Sequence, residues 1–155
     1  MKWVKIFFEF IFEVWSKKLK IPKNINFLIV DDFYSIRKAV KKSLDELGFY
    51  GEKTEAESFT RATEVLTVSL TTTKIDFIIC DFEMPGGDGV ALLNFVRKSE
   101  QLRDLPFLML SAVNDKARIL AAVNAGLSNY LLKPWENESL ETKLNLCWDK
   151  HKTQA

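Results

Sequence analysis

Asp31 and Asp32, Asp81, Ser111 and Lys133 each follow a short apolar run, and their types are those that chemistry on a phosphoryl group requires. The runs are FLIV (27–30), DFIIC (76–80), PFLML (106–110) and NYLL (129–132). If these runs lie side by side, three carboxylates, a hydroxyl and an ammonium meet in one cleft. Carboxylates so placed repel one another and raise each other's pKa unless a cation sits among them. An all-oxygen set with no histidine or thiolate favours Mg²⁺, which keeps several waters and leaves room for phosphate oxygens. An aspartate beside such an ion can attack phosphorus and carry the group as an aspartyl-phosphate. Lys133 would pair with one phosphoryl oxygen as a point charge, and the Ser111 hydroxyl would donate to another. The expected chemistry is phosphoryl transfer by positioning and charge neutralisation.

The elements between the runs must bring these ends together. Ile36, Val40, Leu44 and Leu47 recur at helical spacing and stop at Gly48, and Phe59, Ala62, Leu66 and Leu70 form a second such series. Leu92, Leu93 and Val96, then Ile119, Ala122 and Val123 up to Gly126, and finally Leu140, Leu144 and Cys147 form three more. A weaker, more polar stretch, YGEKTEA (50–56), supplies a fifth strand. Near-continuous apolar runs are strands covered on both faces. Strands alternating with helices predict an α/β fold: a five-stranded parallel, doubly wound sheet joined by right-handed crossovers. Ligands of such sheets bind beyond the carboxyl ends of the strands, where the strand order reverses.

Composition sets the outer bounds. A chain of 155 residues with 47% apolar and 28% charged residues can bury a core without disulfides. Cys80 and Cys147 form no metal-type or redox-type pair and read as reduced core thiols, and His151 alone excludes a histidine metal site. Residues 1–24 carry six lysines against two glutamates, a net of +4; the whole chain is +1, so the remainder is −3. An acidic body argues against nucleic acid as a ligand. Arg97, Lys98 and Arg103 read as a solvated charged face.

FLIVDDFYSIRKAV, ICDFEMPGGDGVALL, LMLSA and NYLLKPW, in that order and in register with the strand ends, resemble the receiver domains of two-component response regulators over about residues 25–150. The resemblance implies the flavodoxin-like, CheY-like strand order 2-1-3-4-5. It makes Asp81 the phosphoacceptor, with Asp32 and Asp81 as direct Mg²⁺ ligands, Asp31 acting through water, and Glu83 contributing its backbone carbonyl. Ser111 and Tyr130 become the switch pair, and Lys133 the phosphoryl-pairing cation. Glu83 and Val113 fall at positions that tune the lifetime of the phosphoryl group, and Ala112 leaves the pocket open. A cis peptide is expected before Pro134, a loose loop at Gly87, and a partner-facing position at Trp135. A histidine kinase or histidine phosphotransfer protein is implied as phosphodonor and a downstream protein as target, with slow self-dephosphorylation at most in place of enzymatic turnover. No output segment is recognisable, and the chain is most similar to cytoplasmic single-domain members of the chemotaxis type. The readings set beside this are a phosphate sink or relay intermediate, and a scaffold module acting without phosphorylation.

The expected division is an amphipathic helical extension at 1–24, a receiver domain at 25–152 and a tail at 153–155. In the extension, Lys2, Lys5, Glu9, Glu13, Ser16, Lys17 and Lys20 fall on one narrow stripe and aromatic and aliphatic residues fill the rest of the wheel. The segment is too short and too charged to span a bilayer and lacks a signal-peptide cleavage site. Pairing with a second copy is the favoured expectation, ahead of packing on its own receiver or contact with a membrane surface or other partner.

Overall fold

The computed structural model describes residues 1–16, 20–84, 87–112 and 116–152, with side chains of the first segment described to Ile11. Its elements are α1 (Lys2–Ser16), β1 (Phe27–Val30), α2 (Tyr34–Glu46), β2 (Lys53–Ala56), α3 (Phe59–Ser69), β3 (Phe77–Asp81), α4 (Gly89–Lys98), β4 (Phe107–Ser111), α5 (Lys116–Asn124), β5 (Asn129–Leu132) and α6 (Asn137–Lys152). The strands form one parallel sheet in the order β2-β1-β3-β4-β5, as the pattern predicts. The order reverses between β1 and β3, whose carboxyl ends carry Asp31, Asp32 and Asp81.

The central strands are buried on both faces because every side chain, whichever way the pleat turns it, meets a helix layer. Alternate residues therefore feed two cores. Leu28, Ile78, Cys80 and Met109 pack with Leu66 and Leu93 on one face. Phe27, Ile29, Phe77 and Leu108 pack with Leu44 and Leu144 on the other. Each fully buried Leu, Ile or Phe contributes about 1.5–3 kcal/mol of burial energy. Phe27 meets Phe49 edge to face at a centroid distance of 5.2 Å.

Helix boundaries follow local chemistry. Ser58 and Asp88 accept from the backbone N–H groups of Arg61 and Ala91 and cap α3 and α4. Gly48 and Gly126 take φ of 85° and 94° just beyond α2 and α5, where a side chain would be strained. β2 is polar because it is a sheet edge: Arg37 and Lys41 of α2 ion-pair with Glu55, drawing its carboxyl below the usual range although burial opposes this.

The structure differs from the sequence pattern at several points. β3 and β4 each run one residue further, through Asp81 and Ser111, because ladder hydrogen bonds continue after the apolar run stops. Core packing reaches back past the expected boundary: Ile21 is buried, and its N–H donates to the Asn145 side chain. Lys98 and Arg103 are exposed, but Arg97 is not a solvated charge. It is half-buried and donates to the carbonyls of Gly126, Arg103 and Leu105 at 2.7–2.8 Å, joining α4 to the loops that precede β4 and β5. His151, at the end of α6, is also half-buried and bonded to Ser128. The side chains of α1 described to Ile11 are all exposed, so among the described residues the apolar face of the helix is not packed on its own receiver. Val113 and the tail 153–155 lie outside the described residues.

Candidate functional site

The first acid, Asp31, is fixed from three sides. Its backbone N–H donates to Ala56 on β2, and its carbonyl accepts from Arg37 of α2 at 2.7 Å. Its own carboxylate accepts from the Phe33 N–H at 2.8 Å, turning the chain from β1 into α2. Asp31 is 1% exposed, so its other oxygen needs a partner and has one in Lys133 Nζ at 3.0 Å.

Asp81 ends β3 beside it. Phe82 N–H donates to the Leu110 carbonyl and holds the strand end against β4. Gly89 opens α4 so close to this point that a Cβ there would lie 2.4 Å from the Asp81 carbonyl oxygen; only glycine allows the helix to start against the site. Lys133 reaches Asp81 Oδ1 at 2.9 Å. Lys133 is aimed from the far side of the cleft by its N–H, which donates to the Ser111 carbonyl at 2.8 Å, and the Lys133-Pro134 bond is cis.

The electrostatics of this cluster are unbalanced. Burial pushes the Asp81 carboxyl up; the Lys133 hydrogen bond opposes this, and the Asp31 charge adds to it, so the net direction is upward despite the ion pair. Burial alone would pull Lys133 down, but its bonds to Asp81 and Asp31 outweigh it and hold the ammonium above its usual value. Burial also pushes the Cys80 thiol far up, with Asp81 and Asp31 adding to the effect; Cys80 is an inert core thiol whose Sγ lies 3.1 Å from the Asp81 carbonyl.

Asp32 carries the decisive feature. Its Oδ1 is buried and has no hydrogen-bond partner, an arrangement that costs on the order of 1–3 kcal/mol for a polar atom and more for a charged one. One oxygen from each of Asp31, Asp32 and Asp81 lies within 4.8 Å of the others. Three carboxylates against one ammonium leave negative charge that a cation must neutralise, and hard oxygens without nitrogen or sulfur fit Mg²⁺. Asp32 and Asp81 would hold it directly, since both oxygens of Asp31 are already engaged.

A pocket of about 370 Å³ opens over these groups, lined by Asp32, Asp81, Ser111, Ala112 and Lys133 and rimmed by Phe33, Glu83 and Met84. Ser111 is 2% exposed at the end of β4. Tyr130, half-buried on β5 with Lys143 5.4 Å above its ring, packs against the larger core cluster. Trp135 is half-buried in the other and donates to Ser43 at 3.1 Å. The Glu83 side chain leaves the pocket and ion-pairs with Arg118 of α5, whose guanidinium also stacks 4.6 Å over Phe82. Arg37 and Arg118 were not legible as part of the site, because their partners lie in other elements and no spacing rule connects them.

Against family models, residues 27–145 match the response regulator receiver domain. The chain belongs to the response regulator receiver family. The receiver is 36% identical over 130 residues to the chemotaxis protein CheY-3 of Vibrio cholerae, covering 84% of this chain and 96% of that one. It is equally identical over 123 residues to the chemotaxis protein CheY of Pseudomonas aeruginosa, covering 79% and 95%. The chemotaxis response regulator CheY4 of V. cholerae superposes with a TM-score of 0.68 at 28% identity, over 79% of this chain and 98% of that one. The fold, strand order and chain coverage are those of a CheY-like response regulator of phosphorelay signalling.

Proposed function

We propose that this receiver takes a phosphoryl group from a phosphohistidine of a histidine kinase or phosphotransfer protein onto Asp81 and then docks on a target protein. An Asp81 carboxylate oxygen attacks phosphorus, the P–N bond to the donor histidine breaks, and the imidazole nitrogen leaves with the bonding pair. Lys133, which bridges Asp31 and Asp81, moves its ammonium from Asp81 Oδ1 to a phosphoryl oxygen, keeping Asp31 as its anchor. Asp32 and Asp81 would hold a divalent ion, which would neutralise the remaining phosphoryl charge. The Ser111 hydroxyl turns toward the new group, and Tyr130 follows it inward, changing the α5–β5 face that a target reads.

The observation that carries this reading is the buried, unpartnered oxygen of Asp32 beside a lysine shared by two other aspartates. The names of the relatives support chemotaxis as the pathway, and a cytoplasmic setting accompanies that reading. Turnover is confined to slow loss of the receiver's own phosphoryl group. Incubation with acetyl phosphate and Mg²⁺ should add one phosphoryl mass to the intact protein; chelation should prevent it, and Asp81→Asn should abolish it. A phosphorylated Asp81→Asn protein, or no modification of the native chain, overturns the reading.

A further inference from the structure

Among its described residues, helix α1 carries an apolar surface that the receiver does not cover. Trp3, Ile6, Phe7, Phe8, Phe10 and Ile11 are all exposed, Trp3 at 83% and Phe8 at 67%. At about 100° of turn per residue these six side chains sweep roughly 200° of the helix, while Lys2, Lys5 and Glu9 share one narrow strip. A packing partner of ordinary kind covers a stripe of about 100° or somewhat more, short of this arc. A second copy laid against Trp3, Phe7 and Ile11 would therefore leave Phe8 and Ile6, on opposite rims, in water. An apolar medium into which the helix sinks to its polar strip covers the whole arc.

The charges select the medium. Residues 1–24 are +4 and the rest of the chain is −3. α1 itself is balanced, Lys2 and Lys5 against Glu9 and Glu13, and the excess lies just after it in Lys17, Lys18, Lys20 and Lys23; an anionic surface draws this cluster in and holds the acidic body away. Trp3 suits the headgroup level, and the Lys2 and Lys5 stems can lie along apolar surface with their ammonium groups in water. At about 1.5 Å per residue α1 is too short to cross a hydrocarbon core of about 30 Å, and no helix among the described residues is long and apolar enough to do so.

We infer that α1 lies in the plane of an anionic phospholipid surface and tethers the receiver to it. The test is co-sedimentation of the full chain with vesicles of phosphatidylcholine containing one-quarter phosphatidylglycerol, against vesicles of phosphatidylcholine alone, with tryptophan emission read in parallel. The chain should pellet with the anionic vesicles, shift its emission to the blue and detach as salt is raised. Phe7→Asp with Phe8→Asp should lower partitioning by more than about a hundredfold. Lys2→Glu with Lys5→Glu should lower it by at least about thirtyfold. Both variants should keep the native thermal midpoint, because none of the described α1 side chains is buried. Retention of the native chain in the supernatant with anionic vesicles, equal binding by the phenylalanine variant, or a stable dimer in light scattering that ignores the vesicles overturns the inference.

Discussion

Two half-buried cations sit at opposite ends of the sheet, and their surroundings differ. Lys133, at the carboxyl end, is shared by the carboxylates of Asp31 and Asp81, with the Asp32 oxygen unpartnered beside them. Arg97, near the amino ends of β4 and β5, is bonded to the neutral carbonyls of Gly126, Arg103 and Leu105. Burial lowers its pKa, with Asp104 partly opposing this. One cluster has too much negative charge for its single cation; the other has its hydrogen bonds filled without a carboxylate bonded to it among the described residues. A buried polar group left unsatisfied calls for an explanation, and a ligand that completes the acidic cluster supplies one, so the imbalance points to this end of the sheet as the functional one.

Removing each cation should break the comparison in opposite ways. Lys133→Met leaves Asp31 and Asp81 facing each other without a cation and should cost about 3 kcal/mol in denaturant unfolding without metal. Millimolar Mg²⁺ should restore part of that loss, because a divalent ion can replace the missing charge, while phosphorylation falls sharply. Arg97→Met strands three carbonyls and should cost about 2 kcal/mol. Mg²⁺ should restore none of it, and phosphorylation of the folded fraction by acetyl phosphate should proceed at the native rate. Equal Mg²⁺ rescue of both variants would remove the distinction between a ligand site and a structural clamp.

Asp31, Asp32, Asp81, Ser111 and Lys133 were legible because a parallel sheet converts sequence position into spatial position: whatever follows an apolar run is delivered to the same edge. Asp81 and Ser111 proved to be the last strand residues rather than the first loop residues, since hydrophobicity ends before the backbone ladder does. Arg97 was misread for the converse reason. Its partners are carbonyls, which carry no residue-type signature, and they come from loops up to 29 residues away. Ile21 was missed because an isolated isoleucine before Pro22 has no periodic neighbours, yet α6 supplies Asn145 for its N–H. The pairing of Glu83 with Arg118 joins residues 35 apart and depends wholly on the tertiary fold.

A smaller effect separates the same two regions by neutralising the site's own charge. Asp81→Asn removes a carboxylate that burial already disfavours, so at neutral pH and without Mg²⁺ it should raise stability by about 1 kcal/mol, or roughly 3 °C in Tm. With Mg²⁺ the advantage should shrink, because the native carboxylate then gains a ligand and the amide does not.

Acidification should divide the regions most finely. His151, beside Arg97, is held down to about 4 from 6.5, first by burial and then by the Arg97 charge. Its neutral form is the folded form, so its contribution is whole above pH 6.5 and is lost as pH falls toward 4, by about 1 kcal/mol after allowance for its partial exposure. Asp81 has the opposite sign: its folded pKa lies above 3.8, the folded state takes up the proton more readily, and falling pH relieves the cluster. Glu55, held below 4.5, loses its contribution only in stronger acid. Unfolding measured from pH 7 to 4 should therefore flatten from its upper stretch downward in His151→Asn, whereas Asp81→Asn should steepen the decline. A native-like upper slope in His151→Asn would show that the only histidine of the chain is not the group that titrates there.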